Sequence, residues 1–169
     1  MIAPSVANKP AMGGQSTRRR LWHYGPLLCW MAVIFFASTS EFSASNTALI
    51  IQPVLRWLFP HIGDERVAFV HFLVRKAAHF SEYAILGLLA ARAFFTSTHD
   101  LLRRAWFPTG FLLVAIYALG DEFHQSFVPS RTPSVYDSFI DMAGGLTALI
   151  IFAFRHRRTA LRARESALS

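Results

Sequence analysis

The sequence predicts an all-α integral membrane protein: four transmembrane helices, both termini cytoplasmic, and a short interfacial helix between the first two spans. Three observations carry this reading. Hydrophobic residues make up 53% of the 169 and charged residues only 16%, where a soluble domain is nearer a quarter charged. Four apolar runs approach the roughly 20 residues that cross a bilayer. The net charge of +7 is segregated: residues 1–23 and 155–169 carry +4 each, leaving −1 for everything between.

Residues 1–20, rich in Pro, Gly and small side chains, read as a disordered basic tail ending in Arg18, Arg19 and Arg20. The first span covers 21–38. It follows a basic run as a signal peptide would, but it is long and aromatic, and only a weak small-residue cleavage pattern follows it. Residues 48–62, ALIIQPVLRWLFPHI, are interrupted by Pro53 and too short to span. They fit a membrane-surface helix with Trp57 and Phe59 at head-group depth. The second span, 70–95, carries Arg75, Lys76, His79, Glu82 and Arg92; the third, 105–120, is cleaner; the fourth covers 136–154. Residues 155–169 form a basic cytoplasmic tail, so the membrane domain is 21–154. Cys29, the single cysteine, reads as a small apolar core residue.

Orientation follows from Lys and Arg. The N-terminal tail, the connection with Arg103 and Arg104, and the C-terminal tail must share one side if there are four spans, and the positive side is cytoplasmic. Tails of this kind suit anionic head groups. A nucleic-acid binder would instead carry its basic residues along one face of a domain, so no nucleic-acid partner is expected. Membrane lipids are the expected partners, and no feature of the chain specifies an oligomeric state.

Chemistry concentrates at the outer ends of the spans. Arg75, His79 and Glu82 are spaced by four and three, as are Lys76, His79 and Tyr83 by three and four, so a polar stripe centres on His79. A carboxylate inside a span, such as Glu82, is costly unless paired or functional. In YALGDEFHQSFVPSR, residues 117–131, Asp121 shares a helix face with His124 and Gln125, Glu122 points elsewhere, and Arg131 is placed to bind phosphate or carboxylate. Ser134 to Asp137 matches a capping pattern. Asp141 lies within the next apolar run, and Ala143, Gly144 and Gly145 permit close helix approach. His79, Glu82, Asp121 and His124 are the candidate proton-handling or structural cluster. Lys76, Tyr83, Glu122, Gln125, Arg131, Asp137 and Asp141 are the candidate binding residues. With no HExxH pattern, no cysteine pair and arginines nearby, no metal or other cofactor is expected.

Three stretches, RKAAHFSEYAILGLL (75–89), ALGDEFHQSFVPSRTPSVYD (118–137) and FIDMAGG (139–145), together resemble the VanZ-like family of small bacterial membrane proteins, over roughly residues 27–152. FFASTS at the end of the first span is similar to the family's serine-containing exit. Many relatives carry Gly and Asn where this chain has Ser130 and Asp141. The resemblance implies that Lys76, His79, Tyr83, Asp121, Glu122, His124, Gln125, Arg131 and Asp137 belong to one constellation in the bacterial inner membrane. The family takes its name from a protein associated with low-level teicoplanin resistance, so an influence on glycopeptide susceptibility is an expectation.

Three functions fit these residues. The first is an outer-side pocket for an anionic envelope lipid or cell-wall precursor, with Lys76 and Arg131 holding the anion. The second is an integral-membrane hydrolase or transferase using His124 with a carboxylate. The third is a non-catalytic assembly factor whose polar cluster locks the helices together.

Overall fold

A computed structural model of the protein describes residues 13–39, 44–128 and 134–168. Among these residues the chain is all-helical, with six helices and no strand: α1 (Gly13–Ala37), α2 (Ala44–Leu58), α3 (Asp64–Phe95), α4 (Asp100–Arg104), α5 (Trp106–Gln125) and α6 (Val135–Ser166).

α1 starts at Gly13 and so takes in Arg18–Arg20, ahead of the span expected from residue 21. Arginine is a good helix former, and extending an existing helix costs far less than nucleating one. α2 is the short connecting helix expected over 48–62, but it runs from Ala44 to Leu58 with Pro53 inside it, stopping ahead of Pro60, since a proline disfavours helical geometry in the residue before it. α3 begins with Asp64 and Glu65 in its first turn and has Arg92 in its last, both favourable to the helix dipole. At 32 residues it is about 48 Å long, more than a roughly 30 Å hydrocarbon layer requires. α6 has the same number of residues and continues past the apolar run into the arginine-rich segment.

Side-chain contacts fix the helix directions. Ser38, just after α1, meets Asp121 near the end of α5, and Lys76 in α3 meets Asp137 at the start of α6. At the opposite end Tyr24 and Ser97 share a hydrogen bond of 2.8 Å, and the Phe95 and His156 rings lie 4.4 Å apart. α1 and α5 therefore run toward the end where α3 and α6 begin. We call that the polar end and the other the basic end. α3 is the hub and packs against α1, α2, α5 and α6, most extensively against its parallel neighbour α6.

Glycines set the closeness of α3 and α6. A Cβ on Gly144 would fall on the Phe80 carbonyl oxygen, and one on Gly87 would come 2.5 Å from the Gly145 carbonyl oxygen. A Cβ on Gly145 would also strike the Val114 side chain of α5. The close approach expected of residues 143–145 is thus realised, against α3 and α5 together.

The interior is built of small and medium apolar side chains, among them Ile34, Leu86, Ala90, Val114 and Ala118 around Tyr83. Several polar groups are buried with them: Ser38, Asp121, Glu122, Gln125, Asp137, Ser138 and Asp141. The outward surface carries large apolar residues on every long helix, such as Val33 and Phe36, Phe72 and Leu88, Leu112 and Ile116, and Ile151 and Phe154. Cys29 belongs to this outward surface and is exposed. The core position expected for it is taken instead by Leu27, which turns inward. Among the described residues only α6 is long and apolar enough to cross a membrane by length and composition; shorter apolar stretches occupy Trp22–Ala37 and Thr47–Leu58.

Candidate functional site

At the polar end, the last turns of α5 turn Asp121, Glu122 and Gln125 inward. Asp121 and Gln125 are four apart, on one face, and Gln125 Nε2 donates to Asp121 Oδ2 at 3.0 Å. The Ser38 hydroxyl donates to Asp121 Oδ1, and Gln125 Nε2 also reaches Ser38 Oγ at 3.4 Å. This three-residue network ties the end of α1 to the end of α5. Two further bonds secure α1: the Tyr117 hydroxyl donates to the Met31 carbonyl, and the Trp30 indole N–H donates to the Glu82 carbonyl at 2.9 Å.

Glu122, expected to point away from this face, is buried as well. Its Oε2 accepts the Ser134 backbone N–H at 2.7 Å. Ser134 is the N-cap of α6, yet its own side chain makes no capping bond. The start of α6 is thus served by a carboxylate from α5, which suits the exposed N–H groups of a helix start. Asp137, expected as a cap, forms an ion pair with Lys76. It stands at the third helical position, where a capping-box acid would accept the Ser134 N–H, but that N–H goes to Glu122 and the Asp137 carboxylate turns to Lys76 of α3.

One turn deeper, His79 Nδ1 stands 3.4 Å from Asp141 Oδ1. This is ion-pair distance without hydrogen-bond geometry, and both Asp141 oxygens and Nδ1 are buried with no hydrogen-bond partner. Asp141 and Tyr83 are fully buried, and the Tyr83 hydroxyl and Ser138 Oγ also lack a partner. Buried polar atoms without a partner are rare in folded proteins. His124, by contrast, stacks on Phe35 at 4.6 Å, and its Nδ1 is buried without a partner.

A cleft of about 160 Å³ opens onto this cluster between α1, α2 and α3, lined by Ala37, Ser38, Thr47, Val74, Arg75, Ala78, His79 and Glu82. Of the site residues expected from the sequence, His79 and Glu82 line it. Asp121 and Gln125 behind Ser38, and Asp141 behind His79, form a buried wall; Tyr83 and Asp137 are buried as well but do not line the cleft. Lys76 is turned from the cleft toward α6 by its pairing with Asp137. Arg131 lies outside the described residues. Arg75 lines the cleft, and no ion pair engages it among the described residues. Ser38 is a site residue that spacing and charge do not reveal; its only sign in the sequence is its place in FFASTS at the end of the first span. No three His, Cys, Asp or Glu side chains among the described residues converge as metal ligands would.

A family model described as VanZ/LLP1 matches residues 24–156, which takes in every residue of the cleft and its wall. No curated protein and no solved structure matches the chain.

Proposed function

The chain belongs to the VanZ/LLP1 family, and from that premise we propose that it is a four-span protein of the bacterial inner membrane whose outward cleft holds an anionic envelope lipid or cell-wall precursor. The observation that carries this reading is the cleft itself: Arg75, His79 and Glu82 of α3 face Ser38 and Thr47 at one end of an apolar-surfaced bundle. Large apolar side chains outside and paired polar groups inside are the distribution expected where lipid is the solvent. The basic segments, Arg18–Arg20 and Arg155–Arg164, fall at the end opposite the cleft. By the positive-inside rule the cleft then faces outward. α2 lies at the membrane surface, with Trp57 exposed toward the head groups.

The cation assignment follows from the ion pairs. Lys76 is neutralised by Asp137, so Arg75 is the cleft's anion-holding group, with Arg131 at the rim on sequence grounds. A guanidinium binds phosphate or carboxylate bidentately. Binding of polyprenyl phosphate to the purified protein tests this. Arg75→Gln should weaken binding about 10- to 30-fold, the loss of a charged hydrogen-bonded contact worth roughly 1.5–2 kcal/mol. Unchanged binding would remove Arg75 from the site. An influence on teicoplanin susceptibility belongs to the same reading, and expressing the parent beside Arg75→Gln in a susceptible strain checks it.

One observation favours a second reading, an integral-membrane hydrolase or transferase. A histidine that lines a cleft and is backed by a buried carboxylate is the arrangement of an oriented general acid or base. His79 with Asp141 has it; His124, the histidine expected in this role from the sequence, has Phe35 beside its ring instead. Turnover of a labelled envelope lipid by the parent, abolished in His79→Gln with the fold retained, is the expected result. Equal turnover in His79→Gln and the parent would sink this reading.

A further inference from the structure

The basic end carries two apolar troughs that the cleft does not involve. One, about 630 Å³, lies between the start of α5 and α6 and is lined by Phe95, Trp106, Phe107, Ile150, His156 and Arg157, among others. The second, about 480 Å³, lies between α3 and α6 and includes Ile85, Leu88, Ala148, Ile151, Arg155 and His156. They flank α6 on two sides and share His156. That ring is held by Phe95 at 4.4 Å and Phe152 at 4.5 Å, and Phe152 in turn meets Trp106 at 5.4 Å.

Each trough changes character along α6 in the same way. On α6 the α5-side trough runs through Ile150, Phe154 and Arg157 to Ala160, and the other through Ile151 and Phe152 to Arg155. Seven residues separate Ile150 from Arg157, about 10 Å of helix. A bilayer leaflet passes from acyl chain to head group over a similar depth, about 5–8 Å of interfacial region on each side. Charge at the trough ends is uncompensated. Arg155 and Arg157 make no ion pair among the described residues, while Arg103 at the same end is engaged by Asp100.

We propose that the α5-side trough binds an anionic glycerophospholipid, with an acyl chain along Ile150 and Ala153 and its phosphate held by His156 and Arg157. A zwitterionic lipid would press an ammonium group against Arg157. A soluble phosphate would engage the arginine and leave the trough unfilled. The proposal rests on the membrane reading and is independent of the ligand of the cleft at the polar end.

Trp106 lines the α5-side trough and serves as the reporter. The full chain, with Trp22, Trp30 and Trp57 replaced by Phe, is reconstituted in phosphatidylcholine bilayers, and helicity is confirmed by circular dichroism. Phosphatidylglycerol brominated in its chains should quench Trp106 several-fold more strongly, mole for mole, than brominated phosphatidylcholine. The preference should be lost in Arg157→Gln and kept in Arg155→Gln, whose side chain lines the trough on the other side of α6. Ala153→Phe, which fills the α5-side trough without altering charge, should abolish the quenching. Arg75→Gln should leave the preference intact, and a loss there would move the anion selectivity to the cleft. Equal quenching by the two lipids in the parent, or a preference that survives Arg157→Gln, would overturn the proposal. Displacement of the lipid by soluble glycerol phosphate at equal concentration would overturn the role of the trough.

Discussion

Arg75 and Lys76 are adjacent in the chain, and the structure gives them different partners. One step along a helix turns a side chain by about 100°. Arg75 therefore faces the cleft between α1, α2 and α3, and Lys76 faces α6, where Asp137 takes its charge. The spacing of Arg75, His79 and Glu82 was legible in the sequence because helix periodicity alone puts them on one face. Which cation met which carboxylate was not, since Asp137 is 61 residues away from Lys76 along the chain. A mostly buried ion pair is costly to break from one side only. Lys76→Met should lower stability by about 3 kcal/mol in detergent unfolding, by leaving Asp137 unpaired. The double substitution Lys76→Met with Asp137→Leu should recover most of the loss. If the double variant is no more stable than Lys76→Met alone, the two residues are not coupled. Asp141 is a harsher case: fully buried, with His79 the only group at ion-pair distance among the described residues. That unrelieved position is what makes the pair a candidate for chemistry rather than for stability.

The element with the most consequence is α6. Its first turns supply Asp137, Ser138 and Asp141, its next turn supplies Gly144 and Gly145, and its far end supplies Arg155–Arg157. The glycines let its backbone lie against Phe80 and Gly87 of α3, and this approach holds the Lys76–Asp137 and His79–Asp141 pairs in register. Gly144→Leu should therefore cost about 3 kcal/mol or prevent folding, because the added side chain would meet the backbone of α3, which cannot move aside. Ala143→Leu, one position away on the exposed side, should be close to neutral. Similar thermal unfolding for the two variants would refute the close-packing role of Gly144. The long helices and their order were legible from apolar runs, while the short α4, DLLRR, was not. Helix ends were less legible. α1, α3 and α6 all run past their apolar stretches, because helix propagation continues through arginine and acidic residues once the apolar portion is packed.

At the scale of the molecule, four long helices alternate in direction, so that the ends of the first and third meet the starts of the second and fourth. Polar groups gather at that end and basic groups at the other. The proposed topology has a direct test in a Cys29→Ser background. Ser130→Cys should react with a membrane-impermeant maleimide from outside intact cells, and Ser166→Cys only after permeabilisation. Labelling of Ser130→Cys from the cytoplasmic side alone would invert the bundle and the cleft with it. The sequence by itself determined the all-helical class, the order of the long helices and the segregation of charge. Each of these depends on local periodicity or on summed composition, which a chain displays without folding. The tertiary structure alone decided that Glu122 turns inward to serve the start of α6, that Ser38 joins Asp121 and Gln125, and that His79 rather than His124 has the carboxylate. It also decided that Arg75, not Lys76, faces the cleft. These are pairings across 12 to 87 residues of chain, set by which helix faces meet when α6 closes on α3 through its glycines.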